Sequence, residues 1–520
     1  MTSRWPALAA IALCLAGLVL ADQRVRVPDA SPVEDVAAKL VAAAASPPDS
    51  LGSSWYCAGG LSNAAGDLDH VLVVVNASEA DISGELTVYP ALPDGFGSSA
   101  RQELIVTDIS VPATSKARVS ISELIAWDTA QFSNAQEVYS AVLSEFDQPG
   151  VVVEHLLVTP QGRDTGACAS RPAPTWHFGA GTTNAGVRDL VAILNPFPGT
   201  ASVDISFPSD DGIRTPSAYN GLVIPGQSMV LLDIRVEVPS RDQMAMTVQS
   251  RGGEIVVERM QIFANDPGPR GSTLTLGAPE ASLQWFFPSG RSVADSAESY
   301  MVYNPGDTAS DLELEVHFDD PNVPVLAQPL SVGPGERVVV YLDENETHPI
   351  SDVATLRLAD GMPESGSYWV YVSSVNEAPV VVERLVTRSA PGPVGATATM
   401  GAATAARDQT VPLPDELASG SGDLVILNPA GDTIATFKVV AIGAGNAESS
   451  LELELGPRRR AVFPLEALVA GPGATTAIRI QSSHGVIAEV VASGDAGALG
   501  SFAIPVADTI SVPTLTFIPQ

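Results

Sequence analysis

Val191-Ala-Ile-Leu-Asn195-Pro, with Ala201-Ser-Val-Asp-Ile-Ser-Phe207 a few residues on, decides how this chain is read. A short apolar run that ends in Asn-Pro describes a buried strand entering a turn. Strict alternation after it describes a second strand with one buried face. The run recurs as Val71-Leu-Val-Val-Val-Asn76, Met301-Val-Tyr-Asn304-Pro-Gly and Leu424-Val-Ile-Leu-Asn428-Pro, which places the four asparagines 119, 109 and 124 residues apart. The alternation returns in Leu312-Glu-Leu-Glu-Val-His-Phe318. Self-similarity at a near-constant period is the mark of a repeat architecture.

Working outward from Asn76, Asn195, Asn304 and Asn428, the first three copies are preceded by an aromatic cluster: Trp55-Tyr56, Trp176-His177-Phe178 and Trp285-Phe286-Phe287. The fourth copy lacks its Trp, as end repeats often do. Turns follow at Pro225-Gly226, Pro334-Gly335 and Gly456-Pro457, with Pro112 at a longer spacing in the first copy. Pro presets φ for such a turn and Gly admits positive φ. Each copy then closes with a Ser-containing hairpin into an apolar strand that carries Glu154, Glu258, Glu383 or Glu489. A unit therefore holds about six to eight short strands in about 110 residues without a helical period, as in immunoglobulin-like domains. The predicted fold is all-β: tandem immunoglobulin-like antiparallel β-sandwich repeats over residues 52–170, 171–279, 280–407 and 408–520.

The C-terminal Ile510-Ser-Val-Pro-Thr-Leu-Thr-Phe-Ile-Pro519 resembles an opening strand such as Leu283-Gln-Trp-Phe-Phe-Pro288, yet no fifth unit follows it. Two outcomes are open. The segment completes the last sandwich, or it closes the array on the first unit into a propeller-like or ring-like body that removes an exposed edge.

Composition narrows the function classes. The chain has 520 residues, enough for about three to five domains at roughly 100–200 residues each. It carries 60 acidic against 27 basic side chains, a net charge of −33, and no basic run longer than Arg458-Arg459-Arg460. Such a surface repels phosphate backbones, so nucleic acid is not an expected partner. At the N-terminus, Arg4 precedes the apolar run Ala7–Leu20 and Ala21, which reads as a signal peptide over residues 1–21. Retained, residues 5–21 would instead anchor the protein to the membrane. Residues 22–51 read as a linker, either a flexible tether or a short helix between Ser31 and Pro47. Cys14 lies in the signal, which leaves Cys57 and Cys168. Exported to an oxidising compartment, these two are expected to form a disulfide; the alternative is two buried thiols.

A search for chemistry gives little. The six histidines, His70, His155, His177, His317, His348 and His484, are scattered, and nucleophile elbows and phosphate-cradling loops are missing. Asp67, Asp69, Asp210-Asp211 and Asp319-Asp320 read as turn chemistry, with Ca²⁺ a weak alternative. No other cofactor, no catalytic residue and no metal ligand is assigned. The glutamate of the closing strand is the one ionisable position in all copies, and a buried carboxylate needs a partner. It is expected to pair with an Arg or with backbone amides in each unit. His155 stands where Arg259 and Arg384 stand in other copies, which points to a structural or surface role for that position. Trp176 and Trp285 are expected as packing elements, with sugar-stacking platforms as the alternative.

The repeated Trp-x-Phe, strand-Asn-Pro-Gly, Pro-Gly turn and Val-Val-Glu-Arg motifs behind an N-terminal signal resemble an uncharacterised family of actinobacterial exported proteins with tandem β-repeats, whose domain has no known function. The resemblance covers most of residues 52–518, and 3 Lys against 24 Arg suits a GC-rich genome. It implies a cell-envelope location and supplies no catalytic residues. The expected function is therefore a non-enzymatic envelope protein whose β-repeats serve as a scaffold or protein-interaction surface. A glycan-binding array is the alternative, with cell-wall glycan as partner; a hydrolase built between repeats is a more distant one.

Overall fold

A computed structural model describes residues 37–92, 102–209, 211–265, 269–292, 296–342, 355–357, 366–388, 394–416, 421–443, 450–469, 475–494 and 497–513. The signal or anchor expectation (residues 1–21), Asp210 and His348 lie outside them.

Four β-sandwiches follow one another, here called I to IV. In sandwich II, one sheet runs Thr175–Phe178, Met246–Gly252, Ala201–Ser209, Gly212–Arg214, and the other Ser228–Asp233, Val187–Asn195, Val256–Ala264, Arg270–Leu276. Sandwiches I and III repeat the second sheet with the same antiparallel order. It runs Lys116–Ser120, Asp69–Asn76, Val151–Thr159, Gly162–Ala167 in I, and Arg337–Tyr341, Ser296–Tyr303, Val381–Arg388, Gly395–Met400 in III, where Thr355–Arg357 adds a parallel edge strand beside Arg337–Tyr341. Alternating residues of Ala201–Ser209 and Ser310–Phe318 are buried in turn, so the period-two pattern sets which face meets the core. Burial of Val and Ile on both faces of the Asn strands explains why those runs are continuous rather than alternating.

Sandwich IV departs from the expected hairpin. Its closing strand is a single 20-residue element, Thr475–Gly494. The first part pairs with Ala405–Pro412 and Ala435–Gly443, the second with Ser421–Asn428 and Gly497–Phe502. The Asp-Gln-Pro-Gly turn that breaks the strand in sandwich I has Gln481-Ser-Ser-His-Gly in its place, and the chain there stays extended enough to pass from one sheet to the other.

The four asparagines do one structural job. Each is buried at the end of its strand, and its side-chain amide donates to the carbonyls of two turns. Asn195 Nδ2 donates to Gly199 (2.8 Å), Ile224 (3.2 Å) and Pro225 (3.2 Å), while its Oδ1 accepts the Phe197 amide at 3.2 Å. Asn76, Asn304 and Asn428 make the corresponding contacts with Val111, Val332 and Leu455. The second turn has a left-handed residue at the same place in each copy: Thr114, Gln227, Gly335 and Arg458. Only one of these is glycine, so in sandwich II the positive φ falls on Gln227 and not on the Gly226 that the sequence suggests.

Among the described residues no sheet closes into a barrel; the sandwiches close on one another. The last strands of the four units, Gly162–Ala167, Arg270–Leu276, Gly395–Met400 and Gly497–Phe502, pack in sequence around a centre, and the fourth packs against the first. Asp164 ties three of them together, since Oδ2 accepts the Leu274 amide at 2.9 Å and Oδ1 accepts the Thr397 hydroxyl at 3.0 Å. At the rim of the same junction, Lys116 of sandwich I pairs with Asp415 at 2.8 Å and Arg118 with Glu416 at 2.8 Å. Both termini of the described chain meet here. Ile504–Pro505 and Ile510–Ser511 add to Ala405–Pro412, so the described part of the C-terminal segment completes the last sandwich. Residues 37–39 are helical, and the following stretch packs on the ring. Ala45 donates to the Pro505 carbonyl at 2.7 Å, and the Ala42 carbonyl accepts the Ser170 amide at 2.9 Å.

Candidate functional site

The repeated glutamates lie at the seams between sandwiches. Glu154, Glu258, Glu383 and Glu489 are all fully buried. Each sits in the second sheet of its unit with apolar cross-strand neighbours, as Glu258 does between Ala192 and Leu276 and Glu383 between Met301 and Met400, so most of the polar partners come from the adjoining unit. Glu383 of sandwich III accepts the amides of Gly179 (2.9 Å) and Ala180 (2.8 Å) from sandwich II and forms an ion pair with Arg259 of the same unit. Glu489 of IV accepts the Ser289 amide of III at 3.1 Å and pairs with Arg384 of III. Glu258 of II accepts the Gly59 amide of I at 2.6 Å and meets His155 Nε2 of I at 3.2 Å. The rule is simple: the residue that follows the glutamate in one unit faces the glutamate of the next.

This corrects the expectation of a pair within each unit. The pair crosses the seam, and it combines both kinds of partner foreseen, a cation and backbone amides. The aromatic cluster explains how. Its strand ends in the amides that the next glutamate takes, and its ring carries the cation: Arg259 lies 5.4 Å from the Phe178 centroid and Arg384 5.7 Å from that of Phe287. Trp55, Trp176 and Trp285 are buried, and the indoles of the last two donate to the carbonyls of Ile255 and Val380 at 2.8 Å. They pack within the sandwiches and offer no exposed platform for a sugar ring.

Two seams differ from this scheme. Between I and II, His155 replaces the arginine, and its Nδ1 meets His70 Nε2 at 2.9 Å, whose Nδ1 meets the Ser140 hydroxyl at 2.8 Å. Ser140, His70 and His155 thus form a buried hydrogen-bonded chain that ends at Glu258, which His155 Nε2 approaches without completing a hydrogen bond. Burial, then the neighbouring His155, holds the His70 pKa well below its usual range. The seam between IV and I closes the ring. There Val490 follows Glu489, so no cation reaches Glu154, which takes the hydroxyls of Ser501 and Thr165 instead. Burial pushes the Glu154 pKa up to about 8, against the smaller opposing effect of those hydroxyls.

Around the axis, the last strands and residues 40–43 enclose a cavity of about 190 Å³ lined mostly by Ala, Gly, Leu and Thr. That falls below the ~300 Å³ at which small-molecule sites begin. The disulfide is formed between Cys57 and Cys168, which joins the first strand of sandwich I to the chain leaving its last. The acidic turn residues are engaged locally. Asp69 accepts Ser120 Oγ (2.7 Å) and the Ser122 amide (3.0 Å), Asp211 pairs with Arg241, Asp319 with Arg460, and Asp320 accepts the Asn322 amide at 2.9 Å. Asp67 accepts from Asn63. What the sequence reading missed are the amides of Gly59, Gly179 and Ser289 and the roles of Ser501, His70 and Asp164. The basic residue after three of the four glutamates was the available signal.

Residues 129–342 are similar to a family of unknown function, DUF5719. The matched stretch runs from the closing strands of sandwich I through all of II into III; it includes Glu154 and Glu258 but neither Gly59 nor Glu383, so each seam is covered only in part. Among solved structures, a Thermotoga maritima protein aligns at 19% identity over 24% of this chain and 95% of its own, with a TM-score of 0.19. A putative secreted protein from Parabacteroides distasonis aligns at 10% identity over 40% and 80%, with a TM-score of 0.13. A tetra-tandem repeat from the extending region of a large adhesion protein aligns at 14% identity over 86% and 99%, with a TM-score of 0.10. No curated protein matches.

Proposed function

We propose that the chain is a non-enzymatic scaffold of the cell envelope, a rigid body of four interlocked β-sandwiches whose outer sheets and turns present an acidic surface to another envelope protein. One observation carries this reading. The only ionisable position repeated in all four units is fully buried and spent on holding the units together. A repeat kept for catalysis or ligand binding would expose that group; a repeat kept for rigidity hides it. The disulfide fits an oxidising compartment outside the cytoplasm. No helix among the described residues is long and apolar enough to cross a membrane. Excess negative charge keeps such a body soluble and steers it toward basic surfaces.

Mild crosslinking in the native envelope followed by affinity recovery tests the proposal, with a glycan array run alongside. Recovery of a defined protein whose crosslinks map to the outer sheets supports it. Tight sugar binding with no protein partner replaces it by a glycan-binding role. Turnover of an envelope substrate by the purified chain overturns it.

A further inference from the structure

The geometry points to an oxyanion-binding site between sandwiches III and IV, fitted to a monosaccharide-sized, hydroxyl-bearing anion such as a uronate or a sugar phosphate. A cavity of about 310 Å³ opens there, bordered by the start of the Asn strand and the end of the Glu strand of III and by the facing sheet of IV. That is the size at which small-molecule sites begin, ~300 Å³, and too small for a folded partner. Four arginines line it: Arg291, Arg384, Arg388 and Arg460. Two are consumed by the fold, Arg384 by Glu489 and Arg460 by Asp319.

The other two are not. Arg388 makes no hydrogen bond or ion pair with a described residue, and its Nε is buried without a partner. Arg291 reaches Asp423 only at 3.9 Å, and its side chain is 60% exposed. Burial lowers the Arg388 pKa and the nearby Arg291 charge lowers it further, against a smaller opposing effect of Glu298. Three acids line the same cavity: Glu298 is held by the hydroxyls of Tyr300 and Tyr368, Asp423 is the long-range neighbour of Arg291, and Glu466 is exposed to solvent. In a chain with 60 acidic and 27 basic residues, an arginine pair whose one carboxylate contact is the long reach from Arg291 to Asp423 is not explained by a shortage of partners. Two adjacent guanidinium groups repel each other, and an oxyanion between them removes that repulsion with charge-assisted, bidentate bonds. Ser296 and Ser367 add hydroxyls at the same opening, which suits a ligand that carries its own.

The site stands apart from the scaffold reading and does not depend on it. Calorimetric titration of the full chain with glucuronate and with glucose 1-phosphate tests it, with neutral glucose as control. Binding of either anion that weakens at least tenfold in Arg388→Gln and in Arg291→Gln, with glucose inert, is the expected result. The arm that binds separates a carboxylate from a phosphate source. Because neither arginine holds the fold, both variants should melt where the parent melts, and a parent Tm that rises with the anion gives a second readout. Binding of neither anion, or equal binding by parent and both variants, overturns the assignment.

Discussion

Arg259 of the second sandwich and Glu383 of the third form a buried ion pair across their seam, with the carboxylate also accepting the amides of Gly179 and Ala180. Desolvating two charges is costly, and such a pair repays that cost only when its remaining hydrogen-bonding capacity is used. Here the amides use that of the carboxylate and the Phe178 ring flanks the guanidinium, whose Nε is buried without a partner. The pair thus fixes how one sandwich sits on the next more than it adds net stability.

Removing one partner is therefore predicted to cost more than removing both. Glu383→Ala leaves a buried guanidinium and two unpaired amides and is expected to destabilise by about 3–5 kcal/mol in urea denaturation. Glu383→Gln combined with Arg259→Leu keeps an acceptor for the amides, removes both charges and should recover most of that loss. Equal losses for the single and double variants would show that the charges are not coupled.

Closure of the ring is predicted to depend on pH through Glu154. Its folded pKa of about 8 lies above the ordinary 4.5, so between those values the folded state holds a proton that the unfolded state has lost. Stability then falls as pH rises through that window, by at most roughly 1.4 kcal/mol per unit for this group, and levels off above it. Glu154→Gln should be more stable than the parent at pH 8, with the difference shrinking toward pH 4.5. Thermal melts of both proteins across this range check the sign; a variant equally destabilised at every pH would refute it.

The asparagine brackets predict an order of severity. Asn195→Ala leaves buried carbonyls without donors, at about 1–3 kcal/mol. Asn195→Asp keeps the shape but turns a donor toward the Gly199, Ile224 and Pro225 carbonyls into an acceptor, so it should destabilise more than the alanine. Denaturant midpoints for the two variants measure this; an aspartate tolerated as well as alanine at pH 7 would mean that the amide donor is not what holds the turn.

Close approach at the seam predicts a difference between two glycines. A Cβ at Gly179 would lie 2.9 Å from the Met301 carbonyl oxygen and 3.2 Å from Glu383 Cβ, whereas one at Gly199 meets nothing within 4 Å. Gly179→Ala should loosen the contact between sandwiches II and III and raise hydrogen exchange in both flanking strands. Gly199→Ala should leave exchange at the seam as it is. Matching exchange in the two variants would contradict the packing described.

The fold was legible where the signal was local. Alternation in Ala201–Ser209, the Asn run, the Pro-Gly turn and the Val-Val-Glu strand each fix one strand or turn through neighbours a few residues away. Seam chemistry was half legible: burial of a repeated glutamate implied a partner, but the partner sits in another unit, as Arg259 does 124 residues before Glu383. Closure was legible only as the alternative to an open array, and its contacts were beyond reach, because Ser501 meets Glu154 across 347 residues and carries no motif. The long strand Thr475–Gly494 was misread as a hairpin because Ser-Ser-His-Gly has turn composition, while pairing with strands on both sides keeps it extended.

Small-angle scattering of the folded body in solution tests the central claim, that four sandwiches lock into one closed ring. A compact body of this length has a radius of gyration of about 23 Å, and the account predicts a value close to that, with no change on moderate dilution. A row of four sandwiches joined end to end would give roughly twice that radius and a rod-like distance distribution. That result would contradict the closure through Glu154 and Ser501 and, with it, the rigid scaffold.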